Sequence, residues 1–138
     1  MKRTVSILGL IFAVGIVVGA LGDRLLSAQQ EPIKRTVLLK TDLAGIEGKE
    51  GVLALAELAP GGATGKHIHP GDELVYVLEG SIIVEQEGKP AVTLKAGEVG
   101  HNPAKLPHNG KNASSTAPAK AVVVYGVEKG QPLATLVP

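Results

Sequence analysis

The sequence predicts an all-β domain, and three observations lead to this prediction. Apolar residues make up 44% of the 138-residue chain but aromatic residues only 2%, so Val, Leu, Ile and Ala must build the core. Val and Ile are stiff at χ1 and suit a pleated surface. The 18 Gly and 9 Pro residues favour many short strands joined by turns. Beyond the N-terminal segment, no stretch of about eleven residues has a helical period.

Six short apolar or alternating runs are the predicted strands. Combinations typical of turns separate them, such as Pro60-Gly61-Gly62 and Glu79-Gly80, in which Gly supplies a positive φ and Pro fixes φ. The six runs are Arg35–Leu39, Gly51–Leu58, Glu73–Leu78, Ser81–Glu87, Ala91–Lys95 and Lys120–Val127.

The predicted strand Glu73–Leu78 is apolar on both faces. Side chains alternate between the two faces of a strand, so if Glu73 points inward, every second residue after it points inward as well. The remaining residues point outward, and the side chains on both faces are apolar. Such a face is usually covered, so we expect a homodimer, with coverage by the N-terminal strand as the alternative. The outward residues are Leu74, Tyr76 and Leu78, and the run Ile82–Val84 is expected beside them.

The first 28 residues have the composition of a targeting segment. Lys2 and Arg3 form a basic start, and Val5–Leu21 is almost entirely apolar or small. As a helix this run would span roughly 25 Å, short of the roughly 30 Å hydrocarbon layer, which favours a signal peptide. A retained membrane anchor stays open because Leu26 stands where cleavage prefers a small residue.

This composition gives a domain prediction of three parts. Residues 1–28 are a signal peptide or anchor helix, 29–34 a linker and 35–138 the β domain. The domain is expected in the periplasm or another extracytoplasmic compartment. Membrane contact is expected only if the N-terminal segment is retained.

Charge and cysteine content exclude several classes of protein. The formal net charge is +1, and without the first 28 residues 11 basic and 12 acidic side chains remain. No basic stripe or aromatic stacking platform is present, so nucleic acid is not an expected partner. The absence of cysteine excludes disulfides, thiolate metal sites and cysteine nucleophiles.

All four histidines fall between positions 67 and 108. His67 and His69 are two residues apart, so in a strand they project from one face about 6.6 Å apart at the backbone and can converge on one ion. A tight turn at Pro70-Gly71-Asp72 would fold Glu73 back on an adjacent antiparallel strand beside them. Tertiary structure must bring in His108. Imidazole and carboxylate are good ligands for first-row divalent metals.

Two segments resemble the sequence motifs of the cupin family. The first, G-x5-H-x-H-x3-E-x6-G, runs from Gly61 to Gly80, and the second, G-x5-P-x4-H-x3-N, runs from Gly97 to Asn112. The resemblance covers roughly Leu53 to Val127. It implies a double-stranded β-helix, or jelly-roll barrel, with a metal site near one mouth.

By this resemblance, the chain holds one divalent transition-metal ion, which would be Fe, Mn, Ni, Cu or Zn. Four protein ligands on a six-coordinate ion leave two positions for substrate, water or dioxygen. The family often has Gly where this chain has Lys105, which leaves the local turn open but touches no ligand. The implied ligands are His67, His69, Glu73 and His108, and the alternative is a cupin barrel that carries no metal.

Three function classes remain open on this fold: a metalloenzyme such as a dioxygenase, isomerase or lyase, a small-molecule binding or sensing module, and a barrel kept for assembly. The complete ligand set argues against the third. Beyond the N-terminal segment Arg35 is the single arginine, predicted to lie before the barrel, and no arginine flanks either motif. We therefore predict an oxygenase-like or related enzyme for a small, weakly charged substrate that ligates the metal.

Two residues are predicted to act in catalysis. Glu73 would be a metal ligand and, if it detaches during turnover, a base. His101 precedes the proline of the second motif, and its imidazole titrates near neutrality, which suits an acid–base role toward substrate or ligands. The alternative for His101 is a hydrogen bond at the barrel rim. Turnover is expected at the metal rather than at a side-chain nucleophile.

Overall fold

Ten β-strands form two five-stranded sheets in residues 31–138, the part of the chain that the computed structural model describes. The described residues contain no helix, which confirms the all-β prediction, and accordingly none that is long and apolar enough to cross a membrane. The predicted signal or anchor segment lies outside the described residues. The strands are β1 Ile33–Asp42, β2 Lys49–Leu58, β3 His67–Ile68, β4 Asp72–Glu79, β5 Ser81–Gln86, β6 Val92–Lys95, β7 Val99–Asn102, β8 His108–Asn112, β9 Ala119–Glu128 and β10 Thr135–Leu136.

The chain passes repeatedly from one sheet to the other. The first sheet has the order β1-β2-β9-β4-β7 and the second the order β10-β3-β8-β5-β6, with antiparallel pairing throughout. This alternation is the topology of a jelly roll. The six predicted strands are all present. The sequence did not reveal β3, β7, β8 and β10, because they are two to five residues long and mostly polar or small.

The core lies between the two sheets and contains residues from both. Side chains of β2 and β9 alternate between buried and partly exposed positions, as expected for strands with one face on a core. Ala56 and Ala121 stand opposite each other in the register of these strands. Because both side chains are small, they leave room for a cavity inside the barrel, which both residues line.

The face assignment predicted for β4 is confirmed. Val75 and Val77 are buried with Glu73, whereas Leu74 is 54% and Tyr76 46% exposed. The exposed apolar face continues onto β9 and β7, whose residues pair with those of β4. We call this set the outer apolar face of the first sheet: Leu74, Tyr76, Val99, Val122 and Val124.

Two details of the predicted apolar face were wrong. The run Ile82–Val84 does not adjoin it, because β5 belongs to the second sheet and Ile82 faces the core. The N-terminal strand β1 does not cover the face either. It pairs with β2 at the edge of the first sheet, beginning at Ile33 within the segment predicted as linker.

The bend at Pro70-Gly71 carries the chain from β3 in the second sheet to β4 in the first. The predicted hairpin, with Glu73 on a strand adjacent to the histidines, was therefore wrong. The bend requires glycine, because a Cβ at Gly71 would overlap the carbonyl oxygen of Gly126 in β9. The backbones of the bend and of β9 therefore meet without an intervening side chain.

Two further residues of the second motif fix the loops around β8. Lys105 adopts the left-handed conformation, with φ of 62°, that a glycine would favour, and its N–H donates to the carbonyl of His69 at 2.9 Å. Asn112, the last residue of the second motif, is buried and donates through Nδ2 to the carbonyls of Leu58, Ala59 and Ala117. It thereby joins the end of β8 to the end of β2.

Candidate metal centre

Three histidine side chains converge inside the barrel. His67 lies in β3, His69 directly follows it, and His108 begins β8, where it pairs in register with His67. All three side chains are buried. One ligand nitrogen from each ring can be chosen so that all three lie within 4.8 Å of one another. The structure therefore brings together the three histidines that the sequence singled out, in an arrangement that could hold a metal ion.

The rings are held in orientation by backbone carbonyls. Each Nδ1 is within hydrogen-bond distance of a carbonyl oxygen, and since a carbonyl can only accept, each Nδ1 carries the proton. A neutral ring with Nδ1 protonated presents the lone pair of Nε2 to the centre. The bonds join His67 to Gly65 at 2.8 Å, His69 to Leu133 at 2.6 Å and His108 to Leu106 at 2.9 Å.

Glu73 faces the imidazoles from the opposite sheet. Its Oε2 lies 3.4 Å from Nε2 of His69 and 3.2 Å from Nε2 of His108, and it accepts a 2.7 Å hydrogen bond from Asn102. Burial by itself raises the pKa of this carboxyl, but the neighbouring side chains of His108, His69 and Asn102 outweigh burial and hold the pKa well below its usual range. Glu73 is therefore a carboxylate at neutral pH.

The spacing and chemistry of these atoms fit a divalent ion. Nε2 of His67 and Nε2 of His69 are 3.1 Å apart, and two ligands at right angles on one ion, each about 2.1 Å from it, lie about 3.0 Å apart. Nε2 of His108 is buried and has no hydrogen-bond partner among residues 31–138. Converging lone pairs and a carboxylate repel one another, and a cation at the centre would stabilise them all.

The protonation of His67 also suits a ligand. Burial lowers the pKa of this ring to about 4, against the effect of the Gly65 carbonyl and with smaller contributions from His108, His69 and Arg35. The ring is therefore neutral at pH 7, the form in which imidazole binds a metal.

Sequence reasoning missed the group that holds Glu73. Asn102 lies in β7 directly opposite Glu73, and its own Oδ1 accepts a 2.7 Å hydrogen bond from Gln86, which also donates to the carbonyl of His101. This chain of hydrogen bonds connects β5 with the carboxylate in β4. The only signal in the sequence is that Asn102 directly precedes the motif proline, and the pairing with Glu73 requires the strand register.

Tyr125 is a second residue that sequence reasoning missed. Its side chain is fully buried, its ring centroid is 4.8 Å from that of His69, and it stands opposite Glu73 in register. Its hydroxyl lies near Glu73 and Arg35 but is in hydrogen-bond geometry with no described residue. Burial, followed by the charge of Glu73, raises its pKa, so the phenol stays protonated.

The prediction that Arg35 lies before the barrel was wrong. Arg35 is in β1, which joins the first sheet, and it is paired with Ala56. Like Ala56, it lines a cavity of about 40 Å³ that also contacts His67, Glu73 and His108. The rest of the lining is mostly apolar. An arginine therefore does stand beside the candidate metal ligands, although neither motif contains one.

The structure does not bring His101 into this cluster. Its ring is exposed on the other face of β7 from Asn102, with Nε2 at 3.1 Å from Oδ1 of Asp72. Of the two roles that the sequence left open, this position favours a hydrogen bond at the rim. The predicted acid–base role of His101 stays a prediction.

Comparison with known families identifies the class of this protein. Residues 54–125 match the family model of the cupin domain. The match includes more than half of the chain and all four candidate ligands, and the chain belongs to the cupin family. A search of the curated proteins finds no match.

Solved structures with the same fold agree with this assignment. A cupin-like protein from Thermotoga maritima is 23% identical, with a TM-score of 0.62 over 78% of this chain and 77% of that one. A protein from Thermus thermophilus is 28% identical, with a TM-score of 0.58 over 76% of this chain and 92% of that one. An oxalate oxidase in complex with the substrate analogue glycolate is 25% identical, with a TM-score of 0.61 over 80% of this chain but 58% of that one.

We expect His69→Ala and His108→Ala each to remove most of the bound divalent metal, because each deletes one converging nitrogen. His101→Ala is the matched control, since its ring is exposed and outside the cluster, and it should keep about one ion per chain. Elemental analysis of protein purified without chelating resin measures the occupancy, and circular dichroism checks the strands. Unchanged occupancy in both ligand variants would contradict the assigned site.

Proposed function

We propose that this protein is an exported, metal-dependent enzyme of the oxygenase or a related type, acting on a small substrate that chelates the metal. The observation that carries the proposal is the convergence of three anchored imidazoles and one carboxylate in a buried cavity. His67, His69, Glu73 and His108 would hold one divalent transition-metal ion. When bound, such an ion supplies Lewis-acid or redox chemistry.

The size of the cavity supports a small substrate. A volume of about 40 Å³ has room for roughly three water-sized groups, since one water needs about 10–15 Å³. The similar oxalate oxidase binds glycolate, a two-carbon molecule with adjacent oxygen donors. The apolar side chains of Val75, Ile82 and Val84 in the cavity wall would exclude bulk water and so strengthen electrostatic interactions inside.

Glu73 is the residue best placed to move a proton. The carboxylate is ionised at neutral pH, and Asn102, itself fixed by Gln86, holds Oε2 in position. Glu73 can accept a proton from substrate only while it remains a carboxylate within hydrogen-bond reach. Asn102 therefore acts as a positioning residue for this base.

We expect Glu73→Gln to lower turnover about 100-fold or more while the protein retains most of its metal. The amide preserves the shape and one oxygen donor but cannot act as a base, whose contribution is typically about 10²–10⁴-fold. Dioxygen uptake and product formation are measured with oxalate, glycolate and other small oxidisable acids, alcohols and sugars. Glu85→Gln is the matched control, since this carboxylate of β5 is only partly buried, pairs with Lys111 and lies outside the cluster, and it should leave turnover unchanged.

Two outcomes of this experiment would contradict the enzymatic mechanism. Turnover by metal-free protein would exclude chemistry at the metal. Metal-dependent binding of these compounds without turnover would assign the domain to the class of small-molecule binding or sensing modules.

We also propose that the domain is a homodimer that buries the outer apolar face. On that face Leu74 and Val99 are 54% and 70% exposed, and burying such apolar area is favourable by about 25 cal/mol per Å². Light scattering on residues 31–138 should show a dimer, and Leu74→Asp should convert it to a monomer. Val92→Asp, at an equally exposed position of the second sheet, should leave the dimer intact. A wild-type monomer at micromolar concentrations would contradict this proposal.

Export is proposed on the basic start at Lys2 and Arg3 and the apolar run Val5–Leu21. Cell fractionation with N-terminal sequencing tests it. A chain starting at Gln29 outside the cytoplasm indicates a cleaved signal peptide, and an intact Met1 in the membrane fraction indicates an anchor. Full-length soluble protein in the cytoplasm would contradict both.

A further inference from the structure

The side chain of Arg35 lies beside the candidate metal ligands without a partner for its charge. The residue is half-buried in β1, faces the core side with Ala56 and lines the same cavity as His67 and Glu73. No carboxylate of residues 31–138 lies within 4.0 Å of its guanidinium. Its Nε is buried and has no hydrogen-bond partner among the same residues.

The charges around the cavity do not balance without an anion. Glu73 is the only acidic residue in the described lining, and the histidines are neutral as ligands. With a divalent ion bound, the ion and Arg35 together carry three positive charges against one carboxylate. Uncompensated charge in an apolar cavity is costly, so an anionic ligand is strongly favoured there.

We infer that Arg35 is a specificity-determining residue that binds the carboxylate of the substrate, and that the substrate is a carboxylic acid of about two or three carbons with a second oxygen donor next to the carboxylate. This inference rests on the proposed function, because the second donor chelates the ion held by His67, His69, Glu73 and His108. The planar guanidinium presents paired N–H donors that match a carboxylate.

The inference replaces the weakly charged substrate predicted from the sequence. That prediction depended on the absence of an arginine near the motifs, and β1 supplies one from outside both. The small cavity favours a short ligand over phosphorylated sugars, which carry many more atoms than roughly three water-sized groups. A short carboxylate is the anion that fits both the charge and the volume.

The test compares glycolate with glycolamide, its neutral amide, on the full chain loaded with the divalent ion with which it purifies. Isothermal titration should show that wild-type protein prefers glycolate. Arg35→Gln should reduce this preference about 10- to 100-fold, which is the loss of affinity expected when charge-assisted hydrogen bonds to the carboxylate are removed. The metal content should not change. Lys34→Gln is the matched control, since it removes one positive charge from the exposed side of the same strand.

Arg35→Lys keeps the charge but loses the planar fork, so its preference should fall between those of the wild type and Arg35→Gln. This variant decides the question if Arg35→Gln does not fold. The inference would be overturned if Arg35→Lys and Arg35→Gln both preferred glycolate as strongly as the wild type does, or if metal-loaded wild type did not bind glycolate. Neither result would contradict the metal site itself. Protein that takes up no divalent metal would overturn the proposed function itself, and this inference with it.

Discussion

The mutual repulsion of four inward-facing acceptors is the constraint on which the rest of this structure depends. The nitrogens of His67, His69 and His108 and the carboxylate of Glu73 stand within a few ångströms of one another, away from water. None can turn away, because a backbone carbonyl holds each ring and Asn102 holds the carboxylate. The fold therefore holds these groups in an arrangement that could bind a cation, and the energy that keeps them together comes from the packed sheets around them.

The two sheets contribute different groups to this site. The second sheet and its loops supply the imidazoles, whereas the first supplies Glu73, Asn102 and Arg35. Small residues in the middle of the first sheet, Ala56 and Ala121, keep the space between ligands and arginine open. The polar groups thus stand on opposite walls of an apolar cavity, where a ligand can touch both.

The sequence identified the four candidate ligands but not the residues that surround them. Motif spacing identified the histidines and Glu73, because a fixed number of residues separates them within each motif. Asn102 and Arg35 carry no such signal, since each is placed at the site by the register of its strand with a neighbouring strand and not by a fixed spacing from the ligands along the chain. The hairpin predicted for Glu73 failed for the same reason. Short-range turn chemistry does not reveal that the chain changes sheets at Pro70-Gly71.

The close contact between Gly71 and Gly126 makes Gly71, which has no side chain, important for the position of Glu73. A methyl group at position 71 would force the bend away from β9, and β4 begins with the next residue, so Glu73 would move with it. The carboxylate has little tolerance for such a displacement, with its two imidazole neighbours only 3.2 and 3.4 Å away. Natural variation at position 71 should therefore be as restricted as at the ligands themselves. If the proposed ion is bound, a screen for its loss would return this glycine alongside the histidines, although glycine offers the ion no atom.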